Sequence, residues 1–306
     1  MAELELEPAV ELLRHHGLTA MAYAHGARSL RHDYVVNLFS VDKRQAVLAE
    51  AVAALSEAGI EVALLTGISY AGDLYPDPAV RVMGDLDLLV GSSELKGALG
   101  CLQALGYRDG TPGGSSPSHH ALQLFRGDGG AIDLHQNIEQ PWRSRIDLHE
   151  VWARAVPAED VPGARRLERV DQLLFHLTHM SRSELMVPLM NYIDAAALER
   201  RLSAADIEEL MERTRRYGVE RGCVVARAMG KALREGRDRA WLPLWGRILP
   251  DCEEVVRGRL PSRHVQLARK AVLNDRWSQL AGLGAVFVTR RAIGWWQRRG
   301  QGGVTG

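Results

Sequence analysis

Apolar positions recur at helical spacing over the first 58 residues, and "PAVELLRHHG" reads as a helix that ends on Gly17. In "VDKRQAVLAEAVAALSEAG", Val47, Leu48, Val52 and Leu55 form an inward stripe before Gly59 closes the helix. The period then shortens: "IEVALLTG" is a β-rich run stopped by Gly67, "ISYAGDLY" fits a short helix, and the two prolines of "PDPAV" force a turn. "VMGDLDLLVG" is a second strand. "SSELKGALGCLQALGY" predicts a helix with Ser93 as its N-cap, the stripe Leu95, Leu99, Leu102 and Leu105, and an end at Gly106. A Gly/Ser/Pro-rich loop follows, "DGTPGGSSPSHH", and then a hairpin, "ALQLFRGDGGAIDLHQNI", whose glycines supply positive φ. From about Leu167 the pattern is helix after helix, including "RVDQLLFHLTHMSR", "LMVPLMNYIDAAALERRL", "AADIEELMERTRRYG" and "ERGCVVARAMGKAL".

The expected fold class is α+β: a small mixed β-sheet core flanked by helices, followed by a mainly helical C-terminal half that packs on the sheet and closes a cleft over its strand ends. The expected division is residues 1–58, a helical segment; 59–160, the α/β core; and 161–306, the helical domain with a basic, Trp-containing tail.

The second strand raises a chemical question. Asp85 and Asp87 are two apart, so on an extended chain they share a face. Like charges so close repel and raise each other's pKa unless a cation lies between them. Magnesium uses one or two carboxylates plus substrate phosphates, so this spacing suits a metal–nucleotide complex. The plain alternative is an acidic strand edge that discourages pairing with another chain. On the hairpin's second arm Asp133 and His135 share a face, and a third carboxylate beside the first two supplies another ligand or a base for an attacking hydroxyl.

Composition narrows the classes. The 306 residues are 46% hydrophobic, and 38 Lys and Arg balance 38 Asp and Glu, so the chain lacks the footprint of a dedicated polyanion binder. Cys101, Cys223 and Cys252 lie far apart without zinc spacing, which fits a reducing, cytoplasmic location. The start "MAELELEPAVELL" is acidic where a secretory signal is expected to be basic, and the longest apolar run, Leu280 to Val288, has nine residues, so no transmembrane helix is expected. From Arg257 onward, ten Lys or Arg stand against Asp275 alone, interleaved with Trp277, Phe287, Trp295 and Trp296. This 257–306 tail offers nucleic acid or an anionic surface a contact, or packs its tryptophans on the bundle.

Taken in order, "LLTGISYAGDLYPDPAVRVMGDLDLLV", "LQALGY", "AIDLH" and "YIDAAAL" resemble the uncharacterised nucleotidyltransferase family within the DNA polymerase β-like superfamily. The resemblance covers about residues 35 to 200 and is carried by Gly67, Pro76, Arg81, Gly84, Asp85, Asp87 and Asp133. It implies a transfer of an NMP group from an NTP, ATP by expectation, to an acceptor hydroxyl on a small molecule, peptide, protein or RNA, with release of pyrophosphate. Asp85 and Asp87 would hold Mg²⁺ or Mn²⁺, with Asp133 as further ligand or base. Gly67 would let the backbone approach the phosphates, and Arg81 would touch a phosphate or pair with a nearby acid. Two positions depart from the pattern: Thr66 stands where members of the family often carry lysine, and Gly67 is followed by Ile68, leaving Ser69 to replace the serine of the superfamily's Gly-Ser pair. The alternative is a catalytically degenerate polymerase β-like module that binds nucleotide or peptide. Distant superfamily relatives add a toxin-like or antibiotic-modifying reading, and the resemblance points to biosynthesis of modified peptides or other secondary metabolites.

Other polar residues are candidates for the cleft. His135 shares Asp133's face; His119 and His120 sit in the loop; Arg182 and Asn191 lie on the helical side. His176 and His179, at i, i+3, read as core or cleft residues, since zinc wants three or four ligands. Asp194, between apolar neighbours, reads as orienting a helix or a base.

Overall fold

The computed structural model describes residues 6–110, 121–140, 143–236, 248–258 and 260–275. His119, His120 and the tail's aromatic residues lie outside the described residues. The chain begins with α1 (Leu6–His15), α2 (Thr19–Ala24) and the long α3 (Arg31–Glu57). Then come β1 (Val62–Leu65), α4 (Thr66–Leu74), β2 (Leu86–Val90), α5 (Leu95–Ala104), β3 (Arg108–Asp109), β4 (Ala121–Phe125) and β5 (Ala131–His135). After α6 (Leu148–Arg154), β6 (Val156–Pro157) and β7 (Ala164–Arg166), the chain continues through α7 (Arg169–Arg182), α8 (Leu189–Glu199), α9 (Ala204–Tyr217), α10 (Glu220–Glu235), α11 (Cys252–Arg257) and α12 (Arg263–Leu273).

The strands form one mixed sheet in the order β3-β4-β5-β2-β1-β7-β6, in which β2–β5 and β1–β7 are parallel and the other pairs antiparallel. On one face Val62, Leu64, Leu86, Leu88, Val90, Ile132 and Leu134 pack against Val47, Leu48, Ala51, Val52 and Leu55 of α3 and Ala98 and Leu102 of α5. Each of these Val, Leu and Ile side chains contributes about 1.5–3 kcal/mol by leaving water. The other face is divided. Ala63, Leu65 and Leu89 join Phe175 of α7 in a smaller apolar cluster, whereas the intervening positions of β2 and β5 carry Asp87, Asp133 and His135.

The helical half has its own apolar centre, built from Leu173, Leu174, Leu177 and Met180 of α7 with Tyr192 and Leu198 of α8, Leu210 of α9 and Met229 of α10; Tyr70 of α4 reaches into it from the sheet side. Helix α9 opens with a reciprocal Ser203–Asp206 capping box and closes on Gly218 at φ 69°, the left-handed turn that glycine adopts without strain.

Several local expectations are corrected. Ser93 is not an N-cap: α5 starts at Leu95, with Glu94 at the cap and no side-chain capping bond. Residues 185–202 do not form one helix, because Pro188 lacks an N–H and restricts the residue before it, so α8 begins at Leu189. Asp85 precedes β2 and does not lie within it. Beyond the hairpin, β7 pairs with β1 as a further strand of the sheet, just ahead of the helical run. No helix among the described residues is long and apolar enough to cross a membrane.

Candidate functional site

The parallel pairing of β2 with β5 puts Asp87 opposite Asp133 and Leu89 opposite His135. Partners in a parallel ladder point to the same side, so the two aspartates stand together on the face turned toward α7. Ligand atoms of Asp87, Asp133 and His135 all lie within 4.8 Å of one another. The exposed Asp85, one residue ahead of β2, completes an acidic group through its electrostatic coupling to Asp87 and Asp133.

The four side chains are held differently. Asp87 accepts hydrogen bonds from His135 Nε2 at 2.9 Å and from the Thr66 hydroxyl. Burial pushes its carboxyl up, but these two donors outweigh burial and hold it below the usual carboxylate range. Asp133, half-buried and hydrogen-bonded to Gln123, is pushed up to about 6, by desolvation first and then by the charges of Asp85 and Asp87. Desolvation and Asp87 also raise Asp85. Among the described residues, none of the three carboxylates is ion-paired with a lysine or arginine. Asp87 is thus poised ionised, while among the described residues the nearest fixed positive charge acting on the group is Arg44, which acts on Asp85 through space without an ion pair.

Thr66 opens α4 at φ 44°, a left-handed conformation rare for a β-branched residue and costing about 1–3 kcal/mol. That turn is what brings its hydroxyl to Asp87. Gly67 follows, buried, and its missing side chain is filled by Arg81: a Cβ there would lie 2.3 Å from Nη1 of Arg81 and 3.2 Å from Cγ of Met83. Arg81 itself turns away from the three aspartates, with Nε at 3.1 Å and Nη2 at 2.7 Å from Oδ2 of Asp194 in α8. Ser69 is buried within α4 at 1% exposure. Gly84 is exposed, and its carbonyl accepts from Nη2 of Arg44 at 2.9 Å.

From α7, His179 lies within electrostatic reach of Asp87 and His135, and its Nδ1 accepts from Arg182 Nη2 at 2.9 Å. Desolvation, then the charges of Arg182 and His176, push His179 down to about 3, so it faces the acidic group as a neutral imidazole. His176 is turned to the core, where its Nε2 bonds the Asn191 carbonyl at 2.7 Å and burial lowers its pKa. The Asn191 amide bonds the Pro188 carbonyl at 3.4 Å.

The structure therefore brings Asp85, Asp87, Asp133, His135 and Thr66 together, lines the α7 side with His179 and Arg182, and sets Arg81 and Ser69 in the interior. Sequence reasoning missed Arg44, which anchors the backbone beside Asp85, and the tie between Thr66 and Asp87. A basic residue midway along a long helix carries no distinguishing signal; an unusual backbone angle at Thr66 carries none either.

A family model described as an uncharacterised nucleotidyltransferase matches residues 3–234. Among solved structures, the chain is similar to the antibiotic-resistance factor ANT(2'')-Ia in solution, with 16% identity and a TM-score of 0.42, covering 57% of this chain and 92% of that one. It is similar to crystalline ANT(2'')-Ia in complex with adenylyl-2''-tobramycin, with 13% identity, a TM-score of 0.42 and coverage of 56% and 95%. A third similarity is to an antigenic nucleotidyltransferase-like protein from Paracoccidioides brasiliensis, with 16% identity, a TM-score of 0.35 and coverage of 56% and 87%. No curated protein matches the chain.

Proposed function

The chain belongs to the uncharacterised nucleotidyltransferase family, and from that premise we propose that the acidic group on the shared face of β2 and β5 transfers an NMP unit from an NTP, ATP by preference, to an acceptor hydroxyl with release of pyrophosphate. The observation that carries this reading is the side-by-side register of Asp87 and Asp133, with Asp85 coupled to both and no lysine or arginine paired with any of them among the described residues.

The donor set fits Mg²⁺ or Mn²⁺: three carboxylates present hard oxygen ligands, and their mutual repulsion is relieved by a divalent cation. Asp85 and Asp87 would hold the cation, with Asp133 completing the set. When bound, the cation supplies charge neutralisation on the triphosphate and lowers the pKa of the acceptor hydroxyl.

The chain's own side chains do the rest. His135 and Thr66 fix both oxygens of Asp87 and keep it ionised, so its orientation does not depend on solvent. Asp133, opposite Asp87 in the sheet, serves as the further ligand or, left uncoordinated, as the base that takes the proton of the acceptor hydroxyl. The oxygen then attacks the α-phosphorus, one O–P bond forms, the bond to the bridging oxygen breaks, and pyrophosphate leaves. Arg182, beside His179, offers the α7 side a positive charge for phosphate oxygens. Gly84 and Gly67 border the same strand ends; Gly84's exposure leaves backbone accessible to a phosphate.

The test is pyrophosphate release from each NTP with Mg²⁺ and a cell extract as the acceptor pool, comparing the native chain with an Asp85→Asn/Asp87→Asn variant. Release that needs both the extract and the two aspartates supports the reading. Asp87→Asn alone should lower transfer by about 10³-fold or more while the fold persists, a loss of about 4 kcal/mol in transition-state stabilisation. Undiminished transfer in folded Asp87→Asn overturns the assignment, and metal-dependent NTP binding without release makes the chain a binding module.

A further inference from the structure

One polar cluster outside the carboxylates links the sheet to the helical half. Arg81 and Asp194 are 113 residues apart in sequence, and their side chains are 8% and 0% exposed. Both Nε and Nη2 of Arg81 donate to one oxygen of Asp194, and the other oxygen accepts from the Tyr75 hydroxyl at 2.6 Å. The guanidinium lies 5.9 Å from the centre of the Tyr70 ring, which in turn meets His176 of α7 edge-on at 5.4 Å.

Such a pair is poor evidence for stability, because well-packed apolar residues commonly serve as well. What distinguishes this one is where Arg81 stands. It occupies the space under Gly67, the residue after Thr66, so the turn that delivers the Thr66 hydroxyl to Asp87 rests directly on the guanidinium. Arg81 is also four residues ahead of Asp85 on the segment that leads into β2. A single side chain, held from α8, thereby sets the backbone on both approaches to the acidic group. A side chain at Gly67 would collide with the guanidinium of Arg81.

We propose that Arg81 and Asp194 are a positioning pair, through which the helical half sets the geometry of Asp85 and Asp87 for their cation and nucleotide; the proposal deepens the nucleotidyl-transfer reading and rests on it for the ligand. Neither residue touches substrate. Thr66 transmits the constraint on one side and the 82–85 segment on the other.

The experiment uses the full chain and two variants. Arg81→Met/Asp194→Leu replaces the pair with apolar groups, so no buried charge is stranded. Arg81→Lys keeps a charge for Asp194 and removes the fork from beneath Gly67. For each folded variant, Mn²⁺ affinity is read by electron paramagnetic resonance, and amide exchange is followed over residues 66–74 and 82–86. The expected result is at least a tenfold weaker Mn²⁺ affinity and at least tenfold faster exchange in both segments, with the exchange of α10 unchanged. A merely structural pair moves exchange everywhere or nowhere. Unchanged Mn²⁺ affinity and unchanged local exchange in either folded variant overturn the proposal. If the native chain binds no Mn²⁺, the cation reading fails separately, and the exchange data still decide whether the pair holds the two segments.

Discussion

Two acidic clusters lie at the faces of α7, and they are satisfied in opposite ways. Near its N-terminus Asp171, 2% exposed, receives Nε of Arg154 at 2.8 Å and Nη1 of Arg213 at 2.8 Å, and Arg213 also reaches Glu168 and Glu209. Every carboxylate there has an arginine within the chain. Near the C-terminal end of α7, Asp85, Asp87 and Asp133 meet a hydroxyl, an amide and imidazoles, and no arginine pairs with them among the described residues. The first cluster is paired as folded; in the second, among the described residues, Arg44 acts on Asp85 only through space. Burial alone does not distinguish the two, since each mixes buried with more exposed carboxylates; what differs is whether an arginine pairs with them.

The sharpest way to break that contrast is to remove an internal cation. Arg213→Ala leaves the buried Asp171 with Arg154 as its arginine partner, while Glu168 keeps its N-cap bonds and Glu209 faces solvent, so chemical denaturation should show a loss of about 3 kcal/mol. The remaining folded protein should bind Mn²⁺ as before; a parallel loss of Mn²⁺ affinity would mean that the two clusters are one system.

A smaller effect comes from supplying the external cation. Mn²⁺ at about 100 times its dissociation constant should stabilise the native chain by about 2.7 kcal/mol, read as a rise in Tm that a chelator reverses. Arg213→Ala should gain the same increment, and Asp85→Asn/Asp87→Asn should gain none. An equal rise in the double variant would place the binding elsewhere.

The smallest effect concerns the uncompensated charge itself. Asp133 has its carboxyl pushed up to about 6 from an ordinary 3.8. Between those values the metal-free folded chain holds more proton than the unfolded chain, so this group makes stability fall as pH rises through the window. Asp133→Asn removes that penalty. In chelator at pH 7 the variant should be more stable than the native chain by roughly 1 kcal/mol, a value discounted for Asp133's partial exposure, and the difference should vanish below about pH 4. A variant less stable than the native chain at pH 7 would show that Asp133 is already compensated.

Much of the framework was legible in the sequence, because it is written in short-range pattern. Alternation marked the hairpin of β4 and β5, and i, i+2 spacing put Asp133 and His135 on one face. The helical run after Leu167 announced itself by periodicity. Less legible were features decided by partners far along the chain. β7 is "ARR", without apolar alternation, and is a strand because β1 pairs with its backbone. The hydroxyl of Thr66 reaches Asp87 across 21 residues through a backbone angle that residue type does not predict. Arg81 read equally as a phosphate contact or as a partner for a nearby acid; its observed partner, Asp194, lies on a helix of the other half. Local pattern thus located the acidic strand ends, while tertiary packing decided what surrounds them.

The register of β2 against β5 has a consequence in time. Asp87 and Asp133 are neighbours in the sheet, yet 46 residues of chain separate them. At about 5–20 residues per second, a ribosome delivers the second aspartate roughly 2–9 s after the first. β4 must then fold back so that β5 can insert between it and β2. A nascent chain therefore carries Asp85 and Asp87 before it carries Asp133, and the acidic group is assembled only when β5 joins the sheet.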